Sequence, residues 1–243
     1  MKNWFVLLLI GLSVNVNAQV ITSLDEYFNH ADKFLAKHVD EGLVDYSGIK
    51  DKPEQLIFLI KYMEQADLSN AAVSTKKAFW INAYNLTVIK SIINKYPIAS
   101  PIDNSGFFES EKHLVAGQQL TLDGIEKGVL KNIDADPRMH FVLVCAAIGC
   151  PKLANFAYRP NELDKQLEAR TKVILNEAGF IRIDEAKKKV KLSEIFNWYK
   201  ADFTQNGQSV ISYINTYRDN KIDADCKTSY YNYNWDLNEK KKD

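Results

Sequence analysis

The sequence predicts an α+β fold: a single domain in which several helices surround a mostly antiparallel sheet, with one helix buried at the centre. Two observations carry this reading. Amphipathic helical stretches and strand–turn–strand patterns follow one another in mixed order, with no internal repeat, low-complexity linker or domain boundary. One stretch, KKAFWINAYNLTVIKSIINKY at 76–96, is apolar around most of its helical circumference, as a helix enclosed on all sides must be.

In chain order, Met1 to Ala18 reads as a secretory signal peptide. Lys2 provides the basic start, Phe5 to Leu12 the apolar run and Val16-Asn17-Ala18 the cleavage site. No cysteine follows that site, so a lipoprotein anchor is not indicated, and no later apolar run approaches the roughly 18 residues of a membrane span. The expectation is an exported protein, periplasmic or secreted and soluble, with no integral membrane segment in its mature chain. It would consist of one domain at 19–238 and a frayed tail at 239–243.

Ser23-Leu-Asp-Glu26 forms a capping box for a helix that buries Leu24, Tyr27, Phe28, Ala31, Phe34, Leu35 and His38 and stops at Gly42. A second amphipathic helix covers Pro53 to Ala66. Ser74 or Thr75 caps the central helix and Pro97 ends it. On that helix Asn82 and Asn85 share a face with Ala78 and Ile89; two buried amides must find partners, either a neighbouring loop's backbone or His140 or a bound ligand. The connection from Pro97 to Glu111 carries Phe107 and Phe108, which either rim a cleft or pack down as a plug. His113-Leu-Val and Gln119-Leu-Thr-Leu122 make a hairpin. Asp123 caps a short helix with Glu126 three residues on, so Glu126 is either a capping-box carboxylate or an orienting group for His140. Later come a helix from Leu163 to Ala178, a hairpin joining Phe180–Asp184 to Val190–Leu192, the aromatic helix EIFNWYKADF behind Ser193, a helix around Val210 to Tyr217, and a closing aromatic YYNYNWDLN that is a strand or an ordered tail.

The densest chemistry lies in DPRMHFVLVCAAIGCP, Asp136 to Pro151, which holds two of the three cysteines and one of the four histidines. The uncharged run from His140 to Cys145 reads as a core strand, with His140 and Cys145 on opposite faces and Cys150 on the loop that follows. At about 3.3 Å per residue, Cys150 reaches His140 only if the chain doubles straight back. Three readings stand: a catalytic Cys150 activated by His140; a Cys145–Cys150 disulfide, or inert thiols, suited to an oxidising compartment; and a metal site of His140, Cys145 and Cys150, which lacks a fourth soft ligand. No metal or other cofactor is expected.

The balance of 31 basic and 31 acidic residues carries no signal for nucleic acid or a membrane surface. The sequence contains no G-x-S-x-G elbow, phosphate loop, dinucleotide fingerprint or H-E-x-x-H pair.

KAFWINAYNLTVI at 77–89, LTLDGIEKGVL at 120–130, DPRMHFVLVCAAIGCP at 136–151 and VKLSEIFNWYKADF at 190–203, with a weaker match at YNWDLN, resemble the family catalogued as domain of unknown function 547. The resemblance covers about Gly42 to Asn238 and departs at Asn234, where the family more often has aspartate. It implies no settled activity. A histidine opening a core strand is also similar to papain-like and transglutaminase-like enzymes, but no cysteine occupies the first turn of the central helix. On that analogy the site is rebuilt around Cys150 or degenerate.

Two functions follow as expectations. One is a thiol-dependent acyl-transfer hydrolase, an amidase or peptidase, with Cys150 as nucleophile, His140 as base and Asn85 or Glu126 as orienting group. The alternative is a non-catalytic module that binds a small molecule or peptide through Asn82, Trp80, Phe107 and Phe108, with a structural Cys145–Cys150 disulfide.

Overall fold

The computed structural model describes residue 21 and residues 23–241; the expected leader and the last two residues of the expected tail lie outside the described residues. The fold is α+β, with short sheets set among helices. Helix α1, Leu24–His38, starts on Ser23, whose hydroxyl accepts the Glu26 amide, and buries Tyr27, Phe28, Ala31, Phe34 and Leu35. It ends before Gly42 because Val39 turns extended and opens a small ribbon, β1 (Val39–Asp40) against β2 (Leu43–Val44), with Gly42 in the tight turn at φ +87°. Helix α2 (Tyr46–Asp51) follows. Helix α3 (Glu54–Gln65) packs Leu56, Leu59, Ile60 and Met63 against α1 and against α4, Val73–Lys95.

Helix α4 is the expected central helix, buried from Lys77 to Ile89 without a break. It begins earlier than its sequence suggests: Ala72 is the cap residue and no side chain caps the end, so neither Ser74 nor Thr75 plays that part. The hairpin β3 (His113–Val115) and β4 (Gln118–Leu120) lies beside α3. A π-helical turn, Gly124–Leu130, then runs into α5, Lys131–Ile133.

The segment expected to be a core strand is not one. Pro137–Phe141 is a 3₁₀ turn, its first turn held by the Asp136 carboxylate accepting the Arg138 amide. Lys77 of α4 anchors the same carboxylate at 2.9 Å. From Val142 to Cys150 the chain is irregular, with Val142, Leu143, Val144, Ala146 and Ala147 buried, and several of its backbone groups find partners without a neighbouring strand. Asn85 donates from its amide nitrogen to the Val142 carbonyl and accepts the Val144 amide, both at 2.9 Å. Further along, Ala146 accepts from Asn238, and Ile148 and Gly149 donate to Asp236 and Asn234.

The C-terminal segment is thus a strap drawn across the body of the protein. It bridges Leu237 to Ala147 and Glu239 to Val44, so residues expected to fray are paired. The Asn238 side chain accepts from the Tyr46 hydroxyl at 2.7 Å and donates to the Gly42 carbonyl. Gly149 is required at the crossing, since a Cβ there would meet the Asn234 backbone at 2.9 Å.

A second apolar cluster gathers α6 (Leu163–Asn176), α7 (Ile195–Trp198), α8 (Lys200–Phe203) and α9 (Val210–Tyr217) around a three-stranded sheet. In that sheet β5 (Ile181–Asp184) pairs antiparallel with β6 (Lys189–Ser193), as the hairpin pattern indicates. The aromatic end of the chain supplies β7 (Lys227–Tyr231), parallel to β6. Phe141 belongs to this cluster, whereas Met139 before it and Val142, Leu143 and Val144 after it belong to the one around α4, so the chain dips into the second cluster at Phe141, next to His140.

Asn85→Ala strands two buried backbone groups that otherwise cost nothing. At about 1–3 kcal/mol for each orphaned group it is expected to lower unfolding free energy by about 2–6 kcal/mol in urea titrations. A loss under about 1 kcal/mol would show that water replaces the amide.

Candidate functional site

Where the two clusters meet, a cavity of about 420 Å³ opens. Tyr84, Phe108, Trp198, Tyr199, Tyr233 and Trp235 supply its aromatic lining, Glu109, Asp123 and Glu126 its carboxylates, and Cys145 and Cys150 part of its wall. A second cavity, of about 370 Å³, shares Glu126, His140 and Tyr199 with it and extends toward Asp202 and Lys131.

His140 lies at the end of the 3₁₀ turn, its ring stacked on Tyr199 at 3.9 Å between centroids. Its Nε2 is 3.0 Å from Asp202 of α8, and its Nδ1 is 3.9 Å from Glu126. Partial burial alone would raise the Asp202 carboxyl, but hydrogen bonds from His140 and Lys131 outweigh it and hold Asp202 below its usual range. An ionised carboxylate only accepts, so Nε2 carries the proton and donates. Burial pushes the imidazole below its ordinary pKa despite the pull of Asp202, and the neutral ring turns the lone pair of Nδ1 toward Glu126. Glu126, on the π-helical turn, is itself pushed up by burial, against the hydrogen bond from the Tyr199 hydroxyl.

Cys145 and Cys150 form a disulfide, with Cα atoms 6.4 Å apart. Cys150 Sγ accepts the Cys145 amide at 3.0 Å and the Tyr233 hydroxyl at 3.0 Å, and that hydroxyl is also 3.2 Å from Cys145 Sγ. Burial holds Tyr233 well above its ordinary pKa, so the phenol stays protonated and can donate. Neither His140 nitrogen is directed at a sulfur; both face carboxylates.

Several sequence expectations change here. Asn85 does not orient His140, because its amide is committed to the backbone of Val142 and Val144; the hydrogen-bonded partner is Asp202. Asn82 likewise clamps the backbone of Tyr158, and neither amide lines the cavity. Trp80 is buried against Phe79 away from the cleft. Phe107 is also buried and packs on Phe108; of that pair only Phe108 faces the cleft. Glu126 is not part of a capping box, since Asp123 makes no capping bond and instead pairs with Lys127 at 2.7 Å. Cys150 and Glu126 do line the cavity with His140.

Tyr84, Trp198, Tyr199, Asp202, Tyr233 and Trp235 were not singled out from the sequence. The available signal was aromatic density in EIFNWYKADF and YNWDLN, next to an aspartate that the fold carries to His140. Among the described residues, no set of three or more His, Cys, Asp or Glu side chains converges to hold a metal ion, and no helix is long and apolar enough to cross a membrane.

Glu126→Gln keeps an acceptor for Tyr199 and removes the ionisable group. A raised carboxyl favours the folded state below its unfolded value of about 4.3, and that contribution is lost as pH rises through the folded value. The variant is therefore expected to melt higher than the parent near pH 7, by about 2–4 °C for each kcal/mol of relieved desolvation in a chain this size, with the difference closing by about pH 4. A melting difference independent of pH would refute the assignment.

Residues 68–173 match the family model described as "Protein of unknown function, DUF547", which takes in the segments at 77–89, 120–130 and 136–151; those at 190–203 and in the strap lie beyond it. No curated protein and no solved structure matches the chain.

Proposed function

We propose that this protein, a DUF547 family member over residues 68–173, is a binding module whose cleft takes a small molecule or peptide bearing an amine or guanidinium group. The observation that carries the reading is a cluster of cleft-lining rings, one exposed and two half-buried, beside carboxylates. Trp198, Tyr233 and Trp235 have ring centroids 4.8–6.0 Å apart, and Trp198 keeps 48% of its surface exposed. The same lining holds Glu109, Asp123 and Glu126; Asp123 and Lys127 pair with each other, and Glu126 is pushed toward its neutral form by burial, so the exposed Glu109 is the carboxylate left to meet a cation, with Glu126 beside it as an acceptor. Rings and carboxylates together favour a cation with an apolar body.

A thiol hydrolase is less well supported. Its nucleophile would be sealed in the disulfide, and its base is hydrogen-bonded to Asp202 rather than to sulfur. The export expected from the leader agrees with a disulfide formed in an oxidising compartment, and protein secreted into the medium or the periplasm after loss of residues 1–18 would test it.

Tryptophan fluorescence titrated with benzylammonium should show saturable quenching that benzyl alcohol, its neutral counterpart, does not reproduce. Trp198→Ala should weaken the affinity about 2- to 30-fold, the equivalent of about 0.5–2 kcal/mol of cation–π attraction. Equal responses to the amine and the alcohol would sink the charge reading.

A further inference from the structure

The disulfide has features that a purely structural cross-link does not need. It closes a loop of five chain steps, a short loop that constrains the unfolded chain less than a long one. That loop is already held by backbone hydrogen bonds: Cys150 to Ala147, Ile148 to Asp236, Gly149 to Asn234 and Asn238 to Ala146, all 2.8–3.0 Å. Opening the S–S bond leaves every one of these in place. Both cysteines are half-buried and both line the cavity, so the bond faces space that a reactant can enter. The donors are also unevenly distributed. The Tyr233 hydroxyl lies 3.0 Å from Cys150 Sγ and 3.2 Å from Cys145 Sγ, but Cys150 Sγ alone also accepts a backbone amide, that of Cys145, so it has the donors that stabilise negative charge on a departing sulfur.

We propose that the Cys145–Cys150 pair is a thiol–disulfide exchange site for a thiol compound entering the cleft, with Cys145 the sulfur attacked and Cys150 the leaving group. The thiolate of the compound forms a bond to Cys145 Sγ. The S–S bond breaks with its electron pair going to Cys150 Sγ, where the backbone amide and the phenol hold the charge until a proton arrives from solvent. A second molecule of the thiol then attacks the mixed disulfide at its own sulfur and releases the Cys145 thiolate. The net change is two thiols oxidised to one disulfide and one protein disulfide reduced to a dithiol; the reverse direction reduces a small disulfide. This goes beyond ligand capture and is independent of the ligand's charge.

The test uses the full chain in a Cys226→Ser background, which leaves two cysteines, with 2-mercaptoethanol as a neutral thiol and 2-hydroxyethyl disulfide as its oxidised form. The reference is the oxidised synthetic peptide of residues 145–150, CAAIGC, which has the same closed loop without the cavity, the strap or Tyr233. Acid-quenched samples are alkylated and mapped by mass. The folded protein is expected to open about tenfold faster than the peptide at the same pH, and to close again in 2-hydroxyethyl disulfide. With both Cys145 and Cys150 present, acid quenching during opening should trap the thiol adduct on Cys145 with Cys150 free to alkylate, and an adduct found on Cys150 instead overturns the direction of attack. Tyr233→Phe should open about three- to tenfold more slowly than its parent, as loss of one hydrogen bond to the departing sulfur requires. A protein disulfide that opens no faster than the peptide, or only in denaturant, overturns the proposal without any folding question, because the measurement needs no site variant. An opening rate unchanged in Tyr233→Phe overturns the leaving-group assignment. The charge reading fails separately, in the benzylammonium titration.

Discussion

The amide of Asn85 is the contact on which the rest of the site depends. A buried, apolar stretch of chain can exist only if its peptide groups find partners, and the usual partner is an adjacent strand. Here a side chain on the central helix takes that place, accepting one amide and donating to one carbonyl at 2.9 Å each. Released from a sheet, the chain can turn sharply after Val144, and that turn brings Cys145 and Cys150 together in a cavity wall. Asn82, one turn earlier, fixes Tyr158 in the same way, so the central helix acts as a ruler for two irregular segments.

The C-terminal strap completes what the helix begins. It contributes Tyr233 and Trp235 to the cleft and, with its next few residues, ties down both ends of the cysteine loop. Its own anchors are distant in sequence: Asn238 meets Tyr46 and Gly42, and the Ser100 hydroxyl donates to the Trp235 carbonyl. Much of the aromatic wall therefore exists only when the last residues of the domain have closed over the first. Such long-range closure ties the integrity of the cleft to completion of the fold.

The electrostatics of the site follow from its position at the meeting of two apolar clusters. Burial raises the Glu126 carboxyl and lowers the His140 imidazole, so both lean toward neutral forms, while Asp202, more exposed and doubly hydrogen-bonded, leans toward its charged form. A neutral imidazole held by an ionised carboxylate and stacked on a tyrosine is rigid and oriented. It faces carboxylates rather than sulfur. The chemistry of the cysteines therefore has to be sought in the groups that do touch them, the Cys145 amide and the Tyr233 hydroxyl.

The sequence by itself determined the elements whose signals are local. Helical periodicity and a capping serine marked α1; unbroken apolarity marked α4 as the buried helix; the lysine-rich turn between two apolar runs marked the β5–β6 hairpin. It also marked Asp136 to Pro151 as the centre of interest, because rare residue types cluster there. Only the tertiary structure decided how that segment is used. Uncharged, β-branched composition reports burial, and burial is the same whether the backbone is satisfied by a strand or by an asparagine 57 residues away. The partner of His140 lies 62 residues downstream on a short helix and the phenol on the sulfurs 83 residues beyond Cys150, separations that leave no periodicity to read. Phe107 and Phe108, adjacent and chemically alike, were divided between core and cleft by packing alone.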